Sequence, residues 1–158
     1  MAYELEKTVL LIKPSGVSRC LIGEIIRRIE KRGLKIVGLK MIQLDEKILS
    51  EHYSHIAHES FYPSLVKSMM RTPVVVCCVE GIEAIHLIRE MVGVTNGRKA
   101  LPGTIRGDYS VSGMENIVHA SDSPETAVLE MERFFKAEDI LDYTQPGFPF
   151  IYADYEIK

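Results

Sequence analysis

"TPVVVCCVEGIEAIHLIREMVG", Thr72 to Gly93, is the stretch whose reading decides the fold. Its first half is a continuous apolar and β-branched run, the signature of a buried strand. Its second half reads as a helix closed by Gly93, a glycine standing where helices stop. A strand feeding a helix is half of a β-α-β unit, so the question is whether the flanking sequence supplies the rest.

Upstream, "TVLLIK" (Thr8–Lys13) reads as a buried strand ended by a turn at "PSG". "RCLIGEIIRRIEKRG" places Leu21, Ile22, Ile25, Ile26 and Ile29 on one stripe of an amphipathic helix that stops at Gly33. "LKIVGLKMIQL" is a second strand. Asp45 is an N-cap candidate for a helix in "DEKILSEHYSHIA", and "SFYPSLVKSMM" is another helix with Pro63 in its first turn. Downstream, Val94 to Glu115 is long and irregular, a kind of segment that is usually functional or disordered. "NIVHAS" is a fourth strand; Ser123 caps and Pro124 opens the helix "PETAVLEMERFF", and an aromatic tail follows. The resulting order, β-α-β-α-α-β-α-loop-β-α, contains a β-α-β…β-α-β skeleton. It predicts an α/β (α+β) fold of the ferredoxin-like split βαβ type, a four-stranded antiparallel sheet with helices on one face. One domain over residues 1–158 is expected, with 144–158 as an extended C-terminal tail.

Composition is that of an ordinary globular chain, 46% hydrophobic and 26% charged. A net charge of −3 gives no global field for nucleic acid or an anionic membrane, so any anion site must be a local cluster of cations. No segment approaches the length of about 20 apolar residues that a spanning helix needs, and the acidic start does not read as a signal peptide. Cys20, Cys77 and Cys78 form no paired framework, and adjacent Cys77 and Cys78 in "VVVCCV" read as small buried hydrophobes. A reducing, cytoplasmic compartment is the expectation.

Candidate chemistry centres on "NIVHASDSPE", Asn116 to Glu125. His119 either simply closes a strand or is a nucleophile held at a junction. Glu130, inside the following helix, could accept from one ring nitrogen and leave the other nucleophilic. Lys13, Arg89 and Arg106 are cations on separate elements, and a phosphate chain wants such converging cations together with hydroxyls such as Thr95. Glycines around "PGTIRGD" would let the backbone at Arg106 approach a ligand. Neither a Walker A motif nor GxGxxG is present. His52, His55 and His58 spell HxxHxxH, but steps of three precess about a helix, which favours an exposed histidine face over a metal site. Phe61 or Tyr62 could stack a nucleobase.

Taken together, "IKPSGV", "LIGEIIRRIEKRGLKIVGLKM", "EHY", "FY", "PVVVCCVEG", "REMVGVTN", "PGTIRGD" and "NIVHASDS" closely resemble nucleoside diphosphate kinases in order and spacing, from about Lys7 to Tyr143. The resemblance implies ping-pong transfer of the γ-phosphate of ATP or another nucleoside triphosphate to a nucleoside diphosphate, through phosphohistidine at His119. It implies that Glu130 orients the imidazole, with the Ser121 hydroxyl beside it. Lys13, Tyr53, Arg89, Thr95 and Arg106 would hold the phosphates, Asn116 with Lys13 the ribose, and Phe61 and Leu65 the base. Mg²⁺ would travel with the nucleotide, touched at most by Asp122 through water. A homo-oligomer, hexamer or tetramer, is also implied, and the aromatic tail looks like a segment that packs on a neighbouring subunit.

The chain departs from the family pattern at Ser15 (usually Asp), Gly97 (often Pro), Ala120 (usually Gly) and in "VSGMEN". In that last segment Gly113 falls where an apolar residue normally faces Phe61, and Glu115 replaces a basic residue; Val111 or Met114 could fill the gap. These changes keep open a second reading, a catalytically weak nucleotide-binding or scaffolding relative.

Overall fold

The computed structural model describes residues 2–158. Four strands, β1 (Glu6–Ile12), β2 (Lys35–Ile42), β3 (Val74–Gly81) and β4 (Val118–Ala120), form a single sheet in the order β2-β3-β1-β4. Every pairing is antiparallel. This is the split βαβ plan expected from the sequence.

The helices are α1 (Pro14–Val17), α2 (Ile22–Lys31), α3 (Glu46–His52), α4 (Tyr62–Met69), α5 (Ala84–Val92), α6 (Ile105–Tyr109) and α7 (Pro124–Phe134). The expected caps are in place. Asp45 accepts from the Ile48 amide at 2.8 Å, Ser123 accepts from Thr126 at 3.1 Å, and Gly93 ends α5 with φ at +83°. Two local expectations change. The "PSG" turn is the one-turn helix α1, since Pro14 suits a first helical position. The irregular stretch 94–115 holds a 3-10 turn at Gly97–Lys99 and α6, both too short to show periodicity.

Helices cover both faces of the sheet, not one. On one face, Leu10, Ile12, Val75, Cys77 and Val79 pack against Ile25 and Ile29 of α2 and Ile88 of α5. On the other, Val9, Leu11, Val74, Val76 and Cys78 pack against Leu49 of α3, Leu65 and Met69 of α4, and Phe134 of α7. Side chains alternate between faces with period two, so a strand buried on both sides reads as an unbroken apolar run. That is why "VVVCCV" does not alternate, and it bears out the buried reading of Cys77 and Cys78. No helix among the described residues is long and apolar enough to cross a membrane.

The tail is turned rather than extended. It makes a 3-10 turn at Phe148–Phe150 and bridges Tyr3 to Ile157 on its own chain.

Candidate active site

The second face explains why Glu130 meets His119. In register, His119 pairs with Leu11, so its ring points to the face that carries α3, α4 and α7. Ser123 turns the chain straight into α7, whose buried stripe is Ala127, Glu130 and Phe134. The Nε2 of His119 lies 2.7 Å from Oε1 of Glu130. An ionised carboxylate only accepts, so Nε2 carries the proton and Nδ1 keeps the lone pair. Burial pushes the Glu130 carboxyl up, but hydrogen bonds and charge from His119, with a 2.7 Å hydrogen bond from the Ser121 hydroxyl, outweigh it and hold the group below its ordinary value. Ser121 is itself fixed, because its amide donates to the Val9 carbonyl at 3.1 Å.

His119 opens onto a cavity of about 550 Å³. Lys13, Tyr53, Phe61, Leu65, Arg89, Thr95, Arg106, Asn116 and Asp122 all line it, so every cavity-facing residue singled out in the sequence converges there, with Ser121 and Glu130 buried behind. A larger hollow of about 960 Å³ between α3 and α4 carries none of these residues.

The cations are built differently. Arg89 is exposed on α5. Arg106 is buried; its guanidinium donates to the carbonyls of Gly93 and Val118 at 2.8 Å and of Asn116 at 3.3 Å. Burial, with Arg89 nearby, lowers Arg106 to about 10, and it stays charged at neutral pH. Gly107 serves packing rather than ligand approach, since a Cβ there would collide with the Leu101 carbonyl. Lys13 is buried and donates to Asn116 Oδ1 at 2.7 Å. Asn116 Nδ2 donates to the Thr95 and Gly113 carbonyls, so one side chain ties Lys13, the 94–97 loop and the 112–116 turn together.

Ile117, between Asn116 and His119, has φ at +74°. For a buried β-branched residue this stores about 1–3 kcal/mol of strain. The flanking bonds hold it: its carbonyl accepts from Lys13 N at 2.8 Å and its amide donates to Ser15 Oγ at 3.3 Å. Ser15, where the family usually has Asp, therefore supplies a side-chain acceptor for this backbone amide. Ala120 is not among the left-handed residues, so its Cβ strains nothing. Gly97 donates its amide to the Ser112 carbonyl at 3.0 Å, which proline could not do.

The exposed histidine face needs correction. His55 and His58 are exposed, but His52 is buried against His119, with ring centroids 4.5 Å apart. Burial, assisted by His119, lowers it to about 3, so it is a neutral packing imidazole. The signal was its position one turn after Leu49 on the buried stripe of α3. His52, His119 and Glu130 have ligand-type atoms within 4.8 Å of one another. They suit a metal poorly, because Glu130 is committed to His119 and Arg133 lies 3.3 Å from His52 Nδ1. The Tyr53 hydroxyl is buried without a partner among the described residues, and burial and Glu130 push its pKa up, so it is an O–H donor lining the cavity. Of the two candidates for the gap left by Gly113, Met114 lines the cavity and Val111 is 82% exposed.

The family model described as nucleoside diphosphate kinase matches residues 6–140. A nucleoside diphosphate kinase of Parabacteroides distasonis is 53% identical over 152 residues, 96% of this chain and 99% of that protein. One of Staphylothermus marinus is 50% identical over 138 residues, 87% of this chain and 98% of that protein. Among solved structures, the nucleoside diphosphate kinase of Halobacterium salinarum in complex with CDP superposes with a TM-score of 0.91 at 36% identity, covering 93% of this chain and 98% of that one. A transition-state mimic of the Borrelia burgdorferi enzyme with bound vanadate and ADP superposes at 0.87, also 36% identical, over 92% and 96%.

Proposed function

Because this chain belongs to the nucleoside diphosphate kinase family, we propose that its phosphotransferase chemistry runs through His119. The observation that carries this is one histidine whose Nε2 is held by Glu130 at 2.7 Å while it lines a cavity shared with Lys13, Arg89 and Arg106. The Nδ1 lone pair attacks the γ-phosphorus of a nucleoside triphosphate such as ATP. The bond to the bridging oxygen breaks, and the diphosphate leaves with that electron pair. Glu130 stabilises the positive charge developing on the imidazole. A diphosphate then docks and its terminal oxygen attacks the same phosphorus, releasing His119. The protein contributes placement and charge, which is what phosphoryl transfer asks of it.

Lys13, Arg89, Arg106, Thr95 and the unpartnered Tyr53 hydroxyl are the phosphate-binding groups. Asn116 Oδ1 keeps a second lone pair for a ribose hydroxyl beside Lys13. Phe61 and Leu65 carry the base. Mg²⁺ fits as a companion of the nucleotide, since Asp122 is the one carboxylate lining the cavity among the described residues and Mg²⁺ keeps most of its waters. When bound it neutralises phosphate oxygens.

The chain acts as one domain over residues 1–158 in the cytoplasm, to which its three free cysteines are suited. It forms a homo-oligomer, hexamer or tetramer. In support, β2 is an edge strand whose Leu39 and Met41 are half exposed.

The test is incubation with γ-labelled ATP and Mg²⁺, followed by unlabelled GDP, CDP or dTDP. Acid-labile, base-stable label on the wild type but not on His119→Ala, discharged by each diphosphate, is the expected result. A folded protein that binds ATP yet takes no label would instead be a nucleotide-binding scaffold.

A further inference from the structure

Arg133 stands in the last turn of α7, where a cation ordinarily faces solvent and the carbonyl end of its helix. This one turns inward. It is half-buried, its Nε is buried without a partner among the described residues, and its Nη1 lies 3.3 Å from Nδ1 of His52. A guanidinium has only donors, so His52 Nδ1 accepts and the ring proton sits on Nε2. That Nε2 is itself buried without a partner among the described residues, so nothing on its side of the ring sets the tautomer.

Other groups face the same ring. His119 of β4 and Tyr53 lie with their ring centroids 4.5 Å away, Phe134 of α7 at 5.3 Å, and Glu130 Oε1 lies 3.7 Å from Nδ1. Burial and His119 chiefly, with Arg133 and His55 adding, keep His52 neutral against the pull of Glu130. The Glu130 distance matters, because Oε1 is the oxygen that His119 Nε2 holds at 2.7 Å. With its proton on Nδ1, His52 would need only a small turn to become a second imidazole donor to that oxygen. With a lone pair on Nδ1, two acceptors face each other and no such bond forms. Arg133 reaches Glu130 only through this ring, since the ion-pair partners of the carboxylate among the described residues are His119 and His52.

We propose that Arg133 is a positioning residue for phosphoryl transfer: by donating to His52 Nδ1 it fixes the Nε2–H tautomer of that ring and reserves Glu130 for His119. The inference rests on reading His119 as the phosphorylated residue. During transfer the His119 imidazole gains positive charge, and Glu130 offsets it best when no other donor draws on Oε1. The arginine acts at one remove, through a ring that does not line the cavity.

The experiment reads the His52 tautomer from ring nitrogen resonances of ¹⁵N-labelled protein and, on the same samples, the single-turnover rate of labelling by γ-labelled ATP. Wild type, Arg133→Met and Arg133→Lys are compared. Wild type should carry the proton on Nε2. Arg133→Met, which loses the donor and the charge, should move the proton toward Nδ1. It should also slow labelling about threefold to tenfold, the worth of one hydrogen bond, at an unchanged half-saturating ATP concentration. Arg133→Lys keeps a charged donor and should restore most of both. A purely structural role would lower Tm and leave tautomer and rate in place. Wild-type His52 protonated on Nδ1 overturns the proposal without any variant, which decides the matter should Arg133→Met not fold. A changed tautomer with an unchanged rate, or a slowed rate with an unchanged tautomer, overturns it as well. Wild type that shows the Nε2–H ring yet takes no label overturns the kinase reading instead, because the resonances are read without turnover.

Discussion

At the scale of single residues, the site is a set of ionisable groups whose surroundings set their charge. Glu130 is buried and held ionised by His119 and Ser121. Glu130→Gln preserves the shape but removes the charge that offsets the developing imidazolium, so kcat should fall about 100-fold with the nucleotide KM little changed, as steady-state kinetics would show. Because its folded pKa is depressed, Glu130 also contributes stability that is present above the unfolded value of about 4.3 and lost as pH falls through the folded one. The Gln variant should therefore show a flatter acid limb in Tm against pH. Lys13 has the opposite character. Burial and Arg106 pull its pKa down to about 8, with Glu115 partly opposing. The cation that attracts phosphate is present below pH 8 and lost above it, so kcat/KM, which reports the free enzyme, should decline as pH rises through about 8. Stability responds with the other sign. Between about 8 and the unfolded value of about 10.4 the unfolded chain binds the extra proton, so the Lys13 contribution to stability grows with pH. Opposed slopes in one pH interval would mark Lys13 as the titrating group; a flat kcat/KM from pH 7 to 9.5 would sink the assignment. Most of these residues were legible in the sequence because motif spacing carried them. His52 was not, since a histidine on a buried stripe looks like one on an exposed stripe until the opposite face of the sheet is known to be covered.

At the scale of elements, β4 and α7 were legible because Ser123 and Pro124 mark their junction, and that junction folds Glu130 back onto His119. α6 was hidden by its five residues, which are too few for a helical period. Yet α6 carries Arg106, and its placement is tightly determined. Arg28 of α2 donates to Asp108 at 2.7 Å and to the Tyr109 hydroxyl at 3.1 Å, while Asp108 accepts from the Gly103 amide at 2.8 Å. Thr104 caps the helix by accepting from Gly107 at 3.0 Å. Gly107 lets the helix start lie directly on the Leu101 carbonyl. Gly107→Ala would force the two apart, at a cost of roughly 1–3 kcal/mol for overpacking. The displacement would carry the Arg106 guanidinium off its three carbonyls. Thermal melting should show the lost stability, and kcat/KM should fall at least about tenfold, because sub-ångström to ångström misplacement of a charge-stabilising group is costly. A variant with lowered Tm but intact kcat/KM would mean that α6 tolerates the shift and that Arg106 is held by its carbonyls alone.

At the scale of the whole molecule, the sheet has helices on both faces, and the sequence signalled this only indirectly. Unbroken apolar strands mean burial on both sides, but nothing in a strand says which helix covers which face. The tail poses the remaining question of scale, whether it serves its own chain or a neighbour. On its own chain it is tied at several points: the Ile82 amide donates to the Tyr152 hydroxyl at 3.1 Å, the Tyr3 amide to the Glu156 carbonyl at 2.6 Å, and the Lys158 amide to the Tyr3 carbonyl at 3.2 Å. Phe150 and Tyr155 nevertheless stay largely exposed, at 92% and 75%. None of residues 145–158 lines the cavity that holds His119. Truncation after Thr144 should therefore leave phosphohistidine formation intact in the folded protein. Losing the backbone ties should cost roughly 2 kcal/mol and lower Tm by roughly 4–8 °C. The exposed aromatics make the second half of the expectation: if they pack on a neighbouring subunit, sedimentation of the truncated protein will show smaller assemblies than the full chain at equal concentration. A lowered Tm with the assembly unchanged would confine the tail to its own chain, and an unchanged Tm with unchanged assembly would remove it from both roles.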